Sequence, residues 1–343
     1  MDHRWLQVAD QLKDFAYDNN HPDYVKLPYF GWLKAEHFVL DSFRGFACET
    51  ETAVLVSFRG SEISMETPDL LVTTVKNWMA NLRFNQKERG GYRVHQGFYE
   101  ELAPYMPGLA SMILDLGGES KPVCLVGHSA GGALATLCGR FLHEGGLNVA
   151  EVFSFSSPRV GDRHFAESYP VLLRRIEHMH DIVPHLPLSP LLAPLQNALV
   201  VTFREAIEDW LGVPSERLMA RNIEYVHAGE LYYDDGDDLI FRVPHGEYID
   251  RVFNITLEGI KRWLEEDESD FSEKAQRVMG CPAFALPMPA VPMDIGRSLN
   301  TAAAVKEQLC AGRCDFIRVD HFFSRSRTLL KRLSAQVGLA GAG

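Results

Sequence analysis

The chain has 343 residues, 46% hydrophobic and 23% charged, a composition that allows a large buried core and excludes an intrinsically disordered protein. Its formal charge of −12 and sequence pI near 5.5 argue against a phosphate-binding surface, so nucleic acid is not an expected partner. No stretch approaches the roughly eighteen uninterrupted apolar residues of a membrane span, and no transmembrane segment is expected.

Residues 4–18 place Trp5, Val8, Leu12 and Phe15 at spacings of three and four, which predicts a helix. Acids sit here where a signal peptide needs an apolar centre. The expectation is a soluble protein, cytoplasmic or secreted by a route without a visible signal peptide or after removal of a leader. Two β-rich runs follow, HFVLDSFRGFACE (37–49) and TAVLVSFRG (52–60). ESKPVCLVG then begins with turn residues and continues as a short apolar run suited to a strand buried on both faces. The small-residue stretch after Ser129 predicts a helix to about residue 143. AEVFSFSSP (150–158) reads as another buried strand, and RRIEHMHDIVP (174–184) as a third that ends before a proline.

Strand, helix and strand in this alternation imply a mainly parallel sheet flanked by helices, the α/β class. Residues 188–224 are proline-punctuated and then helical around FREAIEDWLG; residues 256–306 combine a charged helix with a proline-rich run. Both read as insertions into a single domain covering 1–343, because no linker divides the chain. The acidic runs DDGDD (234–238) and EEDESD (265–270) read as solvated turns and helix faces, since they lack the calcium-loop spacing. Six scattered cysteines (Cys48, Cys124, Cys138, Cys281, Cys310 and Cys314) read as buried thiols rather than a disulfide framework.

GHSAG at 127–131 fits G-x-S-x-G between a predicted strand and a predicted helix. Glycines at 127 and 131 relieve crowding in so tight a turn, and the turn projects the Ser129 hydroxyl from the carboxyl edge of the sheet. The Ala130 N–H, at the helix N-terminus, would face negative charge developing on a substrate carbonyl oxygen. The plainer alternative is a serine that merely caps the helix.

A serine hydroxyl needs a base, and the base an orienting carboxylate; in α/β-hydrolase-like folds these follow in the order Ser, Asp or Glu, His. Asp181 is the best-placed acid, at the expected carboxyl end of a strand. Asp162 is the alternative, although it reads more naturally as a cap on a helix beginning near 163. His178, His180, Asp181 and His185 also resemble a metal-ligand cluster, but no matching second ligand group follows, and neither metal nor cofactor is expected. His227, His245 and His321 all lie beyond Asp181. His321 is preferred because it sits where a short strand meets the C-terminal helix, with His227 in reserve.

These residues resemble the class 3 lipases, the fungal triacylglycerol-lipase type, through VLVSFRGS (54–61), NWMANLRF (77–84), VHQGFYEEL (94–102), VCLVGHSAGGALATL (123–137), SFSSPRVGDRHFA (154–166), HDIVPHLP (180–187), YVHAGELYY (225–233) and VDHFFSRS (319–326). The resemblance implies an α/β-hydrolase fold with Ser129 as nucleophile, Asp181 as acid and His321 as base. It also implies an oxyanion role for Ser61 beside Ala130, and a lid over residues 62–76. The histidine of YVHAGELYY is not the base in that family. The implied substrate is a lipid or small ester: an acylglycerol or short-to-medium acyl ester, with A1-type phospholipid cleavage or a silent lipid- or partner-binding relative as alternatives. A lid would make transient contact with a lipid interface. The insertions at 188–224 and 256–306 have no counterpart in these motifs, and a cap or acyl-pocket role is expected of them.

Overall fold

A computed structural model describes residues 32–39, 43–60, 85–178, 181, 183–187, 214, 224–234 and 239–240. The predicted helix at 4–18, Ser61, the expected lid, most of 188–224, the whole of 256–306, His245 and His321 lie outside these described residues.

Strands β1 (Trp32–Val39), β2 (Arg44–Thr50) and β3 (Val54–Phe58) pair antiparallel in succession. The run at 37–49 thus divides between two strands. A small hairpin follows, β4 (Gln86–Arg89) and β5 (Tyr92–His95), turned by Gly90 and Gly91 with φ of 55° and 90°. Helices α1 (Gln96–Leu102) and α2 (Met106–Ile113) lead to β6 (Val123–His128), every residue of which is buried. Then come α3 (Ala130–Glu144), β7 (Val149–Phe155), the short α4 (Arg163–Glu167) and β8 (Leu172–His178). A 3-10 turn at Val183–His185, β9 (Glu230–Asp234) and β10 (Leu239–Ile240) complete the described elements.

The described strands form an eight-stranded sheet in the order β1-β2-β3-β6-β7-β8-β9-β10 and a separate β4–β5 pair. From β3 to β9 the neighbours run parallel, with antiparallel strands at each flank. This is the expected mainly parallel α/β sheet, and it directs the carboxyl ends of β6, β7 and β8 to one edge.

Helix α3 packs against β3, β6 and β7, and α1 packs on α3. Ala130 through Leu142 are all buried. Leu125, Leu134 and Leu137 are fully buried in the core with Val54, Val56 and Phe58. Each such side chain contributes about 1.5–3 kcal/mol of apolar burial, so the helix behind the serine is among the most firmly seated parts of the molecule. Among the described residues, no helix is long and apolar enough to cross a membrane.

Candidate active site

Ser129 occupies the single position between β6 and α3, with φ 57° and ψ −130°. A left-handed conformation at a non-glycine residue costs on the order of 1–3 kcal/mol and persists only where its surroundings impose it. Those surroundings are a backbone bond from the Ser129 N–H to the Phe155 carbonyl (2.9 Å) and two bonds from the Gly132 and Ala133 N–H groups to the Ser129 carbonyl (3.0 and 3.4 Å). The turn has no room for side chains at its glycines. A Cβ on Gly127 would stand 2.1 Å from the Gly131 carbonyl oxygen, and one on Gly131 would stand 2.3 Å from that of Phe58.

Although Ser129 is formally the N-cap of α3, its side chain makes no capping hydrogen bond. The capping alternative is therefore set aside. The 15-residue helix begins at Ala130, directly after Ser129, and its dipole favours negative charge at that end.

Asp181 is 1% exposed and lies three residues beyond the end of β8. Its N–H donates to the His178 carbonyl (3.1 Å), and its Oδ1 accepts from the Val183 N–H (3.0 Å), which opens the 3-10 turn. Ser129 and Asp181 thus leave the same sheet edge from strands that flank β7, about 10 Å apart at the usual strand spacing. Asp162 is occupied elsewhere: it caps α4, with Oδ1 accepting from the Phe165 N–H at 2.8 Å. Among the described residues, no group of three or more His, Cys, Asp or Glu side chains is arranged to hold a metal ion; His180 lies outside them.

His227 does not project freely from the sheet edge. Its Nε2 stands 2.6 Å from the Pro184 carbonyl oxygen and 3.8 Å from Glu177 Oε1. A carbonyl only accepts, so this Nε2 carries the proton and donates it. Cys48, Cys124 and Cys138 are buried free thiols, as expected. Burial pushes the Cys124 thiol up to about 12 and raises the other two, which makes them inert packing groups.

Arg159 is a residue whose part in this arrangement the motifs do not disclose. It is fully buried, and its Nη1 donates to the His185 and Pro187 carbonyls behind Asp181. The available signal was an arginine inside the otherwise uncharged SFSSPRVG, since a buried guanidinium requires several acceptors.

The profile of the family described as Lipase (class 3) matches residues 55–190. A lipase of Rhizomucor miehei is 34% identical over 151 residues, covering 40% of this chain and 39% of that protein. The secreted mono- and diacylglycerol lipase 1 of Fusarium solani is 33% identical over 143 residues, covering 39% of this chain and 39% of that protein. The chain thus spans about two fifths of the length of these curated relatives. A solved structure of Rhizomucor miehei triacylglyceride lipase aligns with a TM-score of 0.48 at 22% identity, over 69% of this chain and 85% of that one. The serine turn and the buried aspartate that follows β8 both lie inside residues 55–190, the segment over which the chain is similar to the class 3 lipases.

Proposed function

We propose that this protein is a serine ester hydrolase that cleaves acylglycerols or short-to-medium acyl esters through an acyl-enzyme on Ser129. The observation that carries this reading is the left-handed Ser129, held at the carboxyl edge of β6 with its hydroxyl outside any cap and a helix N-terminus behind it. Asp181, buried on the same edge, supports it as the orienting acid.

In the proposed mechanism, His321 takes the Ser129 hydroxyl proton as Oγ attacks the acyl carbonyl carbon. Asp181 stabilises the resulting imidazolium, and the N–H groups of Ser61 and Ala130 hold the oxyanion. Collapse of the tetrahedral intermediate breaks the ester C–O bond, and His321 returns its proton to the leaving alkoxide. Water, deprotonated by His321, then attacks the acyl carbon; the bond from that carbon to Ser129 Oγ breaks, His321 returns the proton to Oγ, and the carboxylic acid leaves. Every proton is carried by side chains, so the mechanism calls for no metal or organic cofactor. The net charge of −12 favours neutral esters over anionic lipid interfaces. Residues 62–76 serve as a lid, and 188–224 with 256–306 shape the acyl pocket within one domain.

The test compares wild type, Ser129→Ala and His321→Ala on p-nitrophenyl butyrate, tributyrin and phosphatidylcholine. Both variants should lose at least about 10³-fold in kcat. A steeper rate on tributyrin above its solubility limit supports the lid. Equal rates in wild type and Ser129→Ala would sink the hydrolase reading, and faster cleavage of phosphatidylcholine than of tributyrin would move it to a phospholipase.

A further inference from the structure

Loops at a sheet edge are usually the mobile part of a fold, yet the segment behind Asp181 is held carbonyl by carbonyl. The Pro184 carbonyl accepts from His227 Nε2 at 2.6 Å. The His185 carbonyl accepts from Arg159 Nη1, the Leu186 carbonyl from the Arg159 backbone N–H at 2.7 Å, and the Pro187 carbonyl from Arg159 Nη1 at 2.6 Å. Four successive acceptors are therefore taken by two residues, one fully buried and the other with a side chain only 7% exposed.

The stretch that carries Arg159 reaches back to Ser129. The peptide between Phe155 and Ser156 accepts the Ser129 N–H through its carbonyl (2.9 Å) and donates its own N–H to the Ile176 carbonyl on β8 (2.8 Å). Ser156 then turns the chain with a second left-handed conformation, φ 49°, toward Arg159. On the other side, Val226 is bridged to Gly161, two residues beyond Arg159, which brings His227 to the same loop. One short stretch, 155–161, thus touches the serine turn, the acid's strand, the acid's loop and the segment carrying His227.

We propose that Arg159 and His227 are positioning residues that hold Asp181 in register with Ser129, so that the histidine of YVHAGELYY acts by donating to a carbonyl and transfers no proton. This rests on Asp181 being the acid of the triad. A shift of about 1 Å in a catalytic group can cost about 10²-fold in rate without weakening substrate binding. The signature is a fall in kcat at constant KM.

The experiment measures kcat and KM for p-nitrophenyl butyrate, below each protein's melting transition, in wild type, His227→Gln, His227→Asn, Arg159→Lys and Asp181→Asn. The amide nitrogen of glutamine reaches the place of Nε2, whereas that of asparagine reaches only the place of Nδ1. Glutamine should therefore keep kcat within about fivefold, and asparagine should lose about 10²-fold with KM within about twofold. Arg159→Lys, lacking the fork that spans two carbonyls, should fall in the same manner. Wild-type kcat in both His227 variants overturns the proposal, because the clamp would then be dispensable. Loss of both to the level of Ser129→Ala also overturns it, since the imidazole itself would be needed in the chemistry. If Arg159→Lys fails to fold, the glutamine and asparagine pair decides alone. Wild-type kcat in Asp181→Asn would instead refute the acid assignment, a failure separate from either His227 outcome.

Discussion

At the scale of single residues, the site depends on what is missing as much as on what is present. Ser129 holds its left-handed turn because Gly127 and Gly131 admit backbone where any Cβ would collide. In Gly131→Ala the new carbon would meet the carbonyl oxygen of Phe58 and backbone atoms of Arg59 at 2.8 Å or less, and no flexible side chain is there to move aside. The variant should lose at least about 2 kcal/mol of stability in urea unfolding, with ester turnover falling as the turn opens. Unchanged stability would mean that the strand and helix do not approach as closely as described. The turn at Ser129 was legible from residue types, because a strand-to-helix turn this tight permits few residues but glycine beside it, and the place of Asp181 just beyond a strand was legible from chain order. Arg159 was not, since its partners are three carbonyls of a segment 26 to 28 residues away, and backbone acceptors leave no mark in a sequence.

At the scale of elements, the buried strands β6, β7 and β8 and the helix α3 were legible as short apolar runs and a small-residue stretch. The β4–β5 hairpin and the helices α1 and α2 were not singled out, although Gly90-Gly91 is a strong hairpin signal. Helix α1 opens on His95, which is 3% exposed and accepts from the Phe98 N–H through Nδ1 at 3.4 Å. Burial holds the His95 pKa down at about 4, against 6.5 in the open. The folded ring thus stays neutral where the unfolded one takes up a proton. Its contribution is complete above about pH 6.5, declines as pH falls toward 4, and is exhausted below that. Between about pH 7 and about pH 5 the loss is on the order of 2 kcal/mol. His95→Asn, which keeps an acceptor for the cap but does not titrate, should show a smaller drop in Tm over this interval. Identical pH dependence in the two proteins would remove His95 as the cause.

At the scale of the whole molecule, the parallel strands β6, β7 and β8 bring a serine and an aspartate 52 positions apart to one edge, and a helix buried from Ala130 through Leu142 fixes the serine's side of that edge. The α/β class was legible because strand and helix alternate in chain order; the antiparallel flank β1–β3 was less so, because HFVLDSFRGFACE carries its β character across the division between two strands. The segment similar to the class 3 lipases, residues 55–190, and the sheet edge both include the turn that carries Ser129. The most direct test is to treat the protein with a p-nitrophenyl alkylphosphonate, count the p-nitrophenolate released per chain, and locate the adduct by peptide mass spectrometry. One equivalent should be released, with the phosphonyl group on Ser129 and ester turnover lost in proportion. An adduct on another residue, or turnover that persists after Ser129 is fully modified, would contradict the assignment of Ser129 as the nucleophile.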